Sequence, residues 1–364
     1  MALKDDNNTI IYPTGSYGGE VLDKLLTLTY NDNDTYRHGL IHVQTGVKYK
    51  LTLPLATMGK VIQDAAATPT IESGRAGEGG FNTVTITERF LQPNHFGIFQ
   101  IWQPEVMASY WKEFSPVKNQ LFRELDPAVQ ADFLNLLTQT KNEEIGEAIW
   151  MGVRDGVEAL TGYTPVDGLA KIGSVDPTQP SAKGNTYFDG VISRILKSIK
   201  ATNEVDKVNI TGSTKLETGE AVEIALKAMY KQVKDSLRSQ TRHMKFVVSW
   251  TTWLLYDEYL TEHGVVKYTD NTKENTRLFR GIEILPIHGC PDHTIVLAKF
   301  TKNQDSNLWM AIDWANPKDE EVMSMDRLYA FSSEWFVKMT FKCDVNIVKP
   351  SEMYAHTAYA SGMA

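Results

Sequence analysis

The stretch Trp335-Phe336-Val337-Lys338-Met339-Thr340-Phe341-Lys342-Cys343-Asp344-Val345-Asn346-Ile347 alternates apolar and polar side chains over thirteen residues. Successive side chains of a strand point to opposite faces, so the pattern predicts one long, half-buried strand with an apolar face and a basic or neutral face. At about 3.3 Å per residue such a strand reaches roughly 40 Å, where a usual strand has about five or six residues. It offers no candidate nucleophile. Its length marks it as a scaffold element, and the sequence points to architecture before chemistry.

Working back along the chain, the clearest helix starts at Asp126, a good N-cap, with Pro127 suited to the first helical position. Val129, Phe133, Leu136, Leu137, Ile145, Ile149 and Val153 keep a helical period up to Gly156. At 1.5 Å per residue this helix is also about 40 Å long, so packing it on the long strand predicts a stiff two-layer platform. Between helix and strand, residues 183–329 change to alternating helices and short strands. Phe188, Val191, Ile192, Ile195 and Ile199 mark one amphipathic helix. A second is marked by Val222, Ala225, Met229, Val233 and Leu237, with Lys227, Lys231 and Lys234 on its outer side. Residues 245–248 read as a buried strand, followed by Ser249 as N-cap and a helix to His263 closed by Gly264. Residues 281–287, 294–300 and 308–314 read as three more strands of the same α/β lobe.

Before the helix, residues 1–40 read as an extended arm with little core of its own. The arm holds Gly15, Gly18 and Gly19, a short helical stretch at 21–29, and the polar cluster Asn31-Asp32-Asn33-Asp34. Residues 47–53 (VKYKLTL) and 83–87 (TVTIT) alternate with period two and predict the two legs of a hairpin. Their connection, residues 56–82, is rich in Ala, Thr and Gly, and a connection of that length tends to be functional or mobile. A two-stranded hairpin is marginal alone, so Tyr49, Leu51, Leu53, Val84 and Ile86 need a surface to cover them. Either the same subunit or a neighbouring one supplies it, and the long connection favours the neighbour. Residues 90–111, dense in aromatics, read as a strand passing into a short helix.

Composition narrows the classes of function. The 364 residues are 42% hydrophobic and 23% charged, enough for one large core or two moderate ones. No apolar run approaches the roughly eighteen residues needed to cross a bilayer, and the polar, acidic start is no secretory signal. Two cysteines, Cys290 and Cys343, are too few for a disulfide framework and suit a reducing compartment. A net charge of −8 argues against a protein that binds phosphate backbones directly, yet suits a surface that faces nucleic acid without adhering to it.

Few stretches suggest chemistry. His288-Gly289-Cys290-Pro291-Asp292-His293 places two histidines and a thiol within six residues, but zinc needs a further ligand and a second half-site, and a structural turn is the better reading. Gly74-Arg75-Ala76-Gly77-Glu78-Gly79-Gly80 lacks the strand-before, helix-after setting of a phosphate loop. Glu143, Glu144 and Glu147 lie on the polar face of the long helix, where a solvated face or inter-subunit ion pairs explain them. The basic run from Arg238 to Lys245 reads as a helix C-terminus complementing its dipole. No nucleophile elbow, HExxH helix or dinucleotide-binding turn occurs, so no catalytic, cofactor or metal residue is assigned.

The order of these pieces resembles the major capsid proteins of tailed bacteriophages, the HK97-like fold. The resemblance rests on residues 47–53 with 83–87 for the E-loop hairpin, on 126–154 for the spine helix, and on the segment from Glu144 to Gly156 where that helix hands over. It rests also on 245–263 with 279–286 for the A-domain strand, helix and strand, and on 335–350 for the closing strand. It implies an α+β fold of five parts: an N-terminal arm (1–40), an E-loop hairpin (41–90), a P-domain (91–182) with its spine helix at about 127–154, an α/β A-domain (183–329), and the return strand with a C-terminal tail (330–364). It implies a non-enzymatic subunit, made in a host cytoplasm, that self-assembles through pentamers and hexamers into an icosahedral virion head enclosing double-stranded DNA without sequence-specific binding. Scaffolding, portal and decoration proteins are its implied partners, and no membrane is involved. The short segment before the hairpin departs from members with a fused scaffolding domain, and a single lysine in 56–82, Lys60, identifies no lysine–asparagine crosslink. Tyr49, Leu51, Leu53, Val84 and Ile86 are the candidate assembly contacts. The alternatives are an encapsulin-like compartment shell with the same fold, and a metal- or ligand-binding α/β protein using His288, Cys290 and His293.

Overall fold

The computed structural model of the protein describes residues 3–4, 10–11, 15–17, 33–58, 84–102, 127–153, 188–199, 201, 204–263, 278–313, 323–327 and 334–360. The alternating stretch is one strand, β15 (Trp335–Ile347), and its length follows from how many partners it serves. Strand β7 (Asn94–Trp102) pairs along one edge, from Trp102 opposite Trp335 to Asn94 opposite Cys343. The other edge is shared end to end by β14 (Met323–Arg327), opposite the first five residues, and β13 (Leu308–Asp313), opposite the last six. Beyond them, β3 (Gly15–Tyr17), which follows the antiparallel pair β1 (Leu3–Lys4) and β2 (Ile10–Ile11), pairs with β14, and β4 (His42–Thr45) runs parallel to β13. The period-two reading holds on the inner face, where Val337, Cys343, Val345 and Ile347 are buried while Lys338 on the other face is exposed. Residues 308–314, expected as part of the lobe, belong to this sheet instead, because β13 completes the half-edge of β15 that β14 leaves open.

The long helix spans Pro127–Met151, here α2, after the short α1 (Asp34–Arg37). The residue expected as its N-cap, Asp126, lies outside the described residues. Leu136, expected in the core, is exposed, and from Lys141 onward the helix is buried on several sides: Asn142, Ile145, Ala148, Ile149 and Trp150 are all covered. Burial lowers the Lys141 ammonium to a pKa of about 8. Trp150, wholly inaccessible, donates its indole N–H to Thr35 Oγ1 at 3.0 Å, which fastens α1 to the spine. The polar cluster at 31–34 is therefore not arm throughout. Asn33 Oδ1 accepts the Thr35 amide at 2.9 Å as the N-cap of α1, and Leu40 and Ile41 enter the core. At its far end the helix meets the next segment backbone to backbone, with Gly190 N–H donating to Gly152 O at 2.7 Å. A Cβ on Gly152 would sit 2.5 Å from Ala148 O and 2.6 Å from Phe188 O, so only glycine allows this approach.

The lobe is a six-stranded sheet in the order β10 (Leu278–Phe279), β11 (Ile282–Pro286), β9 (Met244–Val248), β12 (Thr294–Lys299), β16 (Tyr354–Thr357), β8 (Asn209–Gly212). Its inner face joins α3 (Val191–Ile199) and the end of α2 in the core that also holds the buried side of β15. Its outer face packs under α4 (Gly219–Gln232) and α6 (Trp250–Glu262) around Leu226, Met229, Phe246, Ile284 and Leu297. Thr218 and Ser249 cap these helices by accepting the amides of Ala221 and Thr252. Arg238, ending α5 (Asp235–Arg238), donates to the carbonyls of Lys231 (2.8 Å) and Tyr230 (3.3 Å) at the end of α4, as the reading of a basic helix C-terminus expected. Residues after β15, expected as a tail, instead insert β16 between β12 and β8, antiparallel to one and parallel to the other. The chain thus returns to the lobe after completing the long strand.

Candidate assembly site

The hairpin exists, shifted from its expected limits: β5 (Leu51–Met58) pairs with β6 (Val84–Leu91), from Leu51 opposite Leu91 to Met58 opposite Val84. Val84 and Ile86 stand opposite Met58 and Ala56, out of step with Leu51 and Leu53, whose partners are Leu91 and Arg89. The candidates thus divide between the two sides of the ladder, since alternation gives each side every second position. Leu53, 5% exposed, clusters with Val47, Leu91 and Ala311, and Leu51 packs against them, so these two leucines serve the subunit's own core. Tyr49 precedes the ladder and is 81% exposed.

The base of this hairpin is held by polar contacts to the far half of β15. Asn346 Nδ2 donates to Phe90 O at 2.8 Å, and Gln92 N–H donates to Asp344 Oδ2 at 2.8 Å. Arg89 donates to Ile347 O at 3.2 Å and to Asp206 Oδ1 at 3.0 Å. Asp344 Oδ1 also accepts from Arg194 of α3 at 2.8 Å. Burial raises the Asp344 pKa, and Arg194 and the two amides on its carboxylate oppose that rise without cancelling it. A carboxyl raised in the folded state binds protons that the unfolded chain has lost. Its contribution to stability is therefore greatest below the ordinary aspartate value of about 4 and falls as pH rises towards the raised value. Asp344→Asn is expected to flatten that slope in unfolding curves taken from pH 4 upward, and an unchanged slope would assign it to other groups.

On the outer side of β15 and β7 the register sets Phe99 opposite Lys338 and Ile101 opposite Phe336. Phe99 is 58% exposed and stacks on Phe336 with centroids 5.6 Å apart, and Ile101 is also exposed. Lys342 Nζ lies 5.8 Å from the Tyr49 ring centroid, continuing this face to the foot of the hairpin, where Lys50 Nζ lies 3.3 Å from the Phe90 ring. Aromatic rings and lysines standing in solvent along one sheet face are the features of a surface made to be covered. Phe99, Ile101 and Phe336 escaped the sequence reading. Phe336 sits among polar positions of the long strand, and that single break in alternation was the available signal.

The chemical candidates are dispersed. His293 uses Nδ1 on the Leu216 carbonyl oxygen at 2.8 Å, Cys290 is buried with its thiol pKa pushed up by desolvation, and His288 faces solvent 3.6 Å from Glu147. Gly289 and His293 both take positive φ, 88° and 57°, as a tight turn requires. Among the described residues no group of three or more His, Cys, Asp or Glu could hold a metal, and no helix is long and apolar enough to cross a membrane. Glu143, Glu144 and Glu147 are exposed on α2, and burial together with the neighbouring Glu147 raises the Glu144 pKa. The glycine-rich stretch at 74–80 and Lys60 lie outside the described residues.

No family model matches the sequence, and no curated protein matches it. Solved structures do match. A chain of the satellite phage P4 procapsid, solved with its size determination (Sid) protein, aligns with a TM-score of 0.54 at 9% identity, covering 95% of this chain and 93% of that one. The fold is HK97-like. Capsid chains of the empty and native GTA particles agree, with TM-scores of 0.51 and 0.50 at 10% identity, each covering 89% of this chain and 95% and 89% of theirs. In HK97-like terms β5 and β6 form the E-loop hairpin, α2 the spine helix, and β15 the closing strand, which are the pieces from which the sequence resemblance was drawn.

Proposed function

We propose that this chain is the shell subunit of a tailed-phage head, a structural protein and not an enzyme. The single observation that carries the reading is the pairing, on an HK97-like fold, of a hairpin anchored, among the described residues, at its base with an exposed aromatic and lysine face along the long strand. In this reading each subunit lays its hairpin, Tyr49 and its N-terminal arm over a neighbour, whose Phe99, Ile101 and Phe336 receive them. Contacts of this kind are heterologous and close into rings and shells when the rotation permits. The α/β lobe surrounds the centres of pentamers and hexamers, the spine and β15 form the wall, and Val84 and Ile86 belong to the part of the hairpin that reaches outward. In this reading the arm, hairpin, P-domain and A-domain follow one another along the chain, with β13 assigned to the P-domain sheet and β16 to the A-domain.

The net charge of −8 suits a shell that packs double-stranded DNA without holding it, inside a virion made in a host cytoplasm with scaffolding, portal or decoration proteins as partners. Light scattering on the purified protein, with negative-stain images of the leading fraction, is expected to give closed rings or megadalton particles. A 41.0 kDa species at every concentration, with no larger particle when the genes flanking its own are co-expressed to supply any scaffolding protein, would overturn the reading. Particles that hold a cargo protein in place of DNA would transfer it to an encapsulin-like compartment.

A further inference from the structure

The outer helix layer of the lobe carries two uncovered stripes of opposite charge. On α6 exposed positions recur every four residues as Leu254, Glu258 and Glu262, so an apolar turn leads into two turns of carboxylates. On α4 the solvent side presents Ile224 and then Lys231, with Lys234 just past the helix end. Leu254 and Ile224 are 55% and 58% exposed, large apolar side chains standing in solvent on the two helices. The side chains of Glu258, Glu262, Lys231 and Lys234 make no ion pair among the described residues, although the helix surface offers i,i+4 partners elsewhere, as with Lys227 and Glu223.

The spacings agree. From Leu254 to Glu262 is eight residues and from Ile224 to Lys231 seven, or about 12 Å and 10 Å along a helix. Laid parallel, the two helices set apolar turn on apolar turn and carboxylates on ammonium groups. Antiparallel they would set charges on apolar turns. Both stripes face solvent within one chain, so neither covers the other. We infer that α4 of one copy docks on α6 of the next, a head-to-tail contact between second copies of this chain that builds the ring of lobes. The inference rests on the shell-subunit reading and supplies its lobe-to-lobe interface.

Two charge-reversed variants test it: Lys231→Glu with Lys234→Glu, and Glu258→Lys with Glu262→Lys. Each alone places like charges across every contact, and half-assembly is expected to need at least about tenfold more protein, read by light scattering at low salt. An equimolar mixture is expected to restore rings of even number, because alternating subunits restore opposite charges at each contact, while five-membered rings keep one mismatch. The quadruple variant restores every contact and is expected to assemble at close to the wild-type concentration. Assembly of either variant alone at the wild-type concentration would overturn the inference and leave the shell reading standing. So would a mixture and a quadruple variant that remain unassembled while their circular dichroism matches wild type. A wild type that never leaves 41.0 kDa, also when the genes flanking its own are co-expressed, would overturn both.

Discussion

Replacing residues 59–83 with an Asn-Gly turn is expected to give a folded subunit that forms no closed shells. The last pair of the ladder is Met58 opposite Val84, so a two-residue turn closes the strands where the register already ends. What holds the hairpin to its own subunit lies at the other end. Leu53 and Leu91 sit in their cluster, Arg89 bonds Ile347 and Asp206, and Asn346 and Asp344 grip Phe90 and Gln92. None of these contacts is touched, so the melting temperature is expected to stay within about 2 °C of wild type, the effect of about 1 to 2 kcal/mol in a chain of this size. What is lost is reach. Among the described residues β5 and β6 pair only with each other, and a two-stranded ladder has no core to hold its far end. Images showing wild-type particles from the shortened chain would remove the hairpin from the assembly mechanism.

Trp150→Ala is expected to be the most destabilising single substitution considered, at about 4 kcal/mol, with a fall in melting temperature of about 5 °C. The side chain is wholly inaccessible and lies among residues of α2, α3 and the sheets, so its removal leaves a cavity that close packing cannot refill. It also leaves the Thr35 hydroxyl without the indole N–H at 3.0 Å, which frees α1 from the spine. Trp150→Phe keeps most of the volume and loses the hydrogen bond, for about 1 to 2 kcal/mol. Thermal unfolding of the pair separates packing from hydrogen bonding. An alanine variant within 2 °C of wild type would show that α1 and the spine are held by something else.

The long strand was legible to the residue because its signal is local. Thirteen alternating side chains admit one periodicity, and the inner positions Val337, Cys343, Val345 and Ile347 are the buried ones. The caps were legible for the same reason, as Ser249 accepts the amide of Thr252 three residues on. Leu136 was misassigned because helical period fixes a face without saying how far along the helix that face has a neighbour, and the described neighbours begin near Leu137. The polar face of β15 shows the same limit. Lys338 on that face is exposed while Asp344 and Asn346, six and eight residues on, are buried as anchors of the hairpin, and no pattern within the strand separates them.

By itself, then, the sequence determined the elements and their order, since periodicity, caps and turn residues act within a few positions of the chain. Only the tertiary structure decided which sheet each strand joins. It moved β13 to the long strand and β16 into the lobe, split the hairpin candidates between two sides, and brought the exposed Phe99 and Ile101 together with the half-buried Phe336. Strand pairing and surface exposure depend on residues as distant in sequence as Asn94 and Cys343, and the closure of such contacts is paid by the packing of the whole chain rather than by any local pattern.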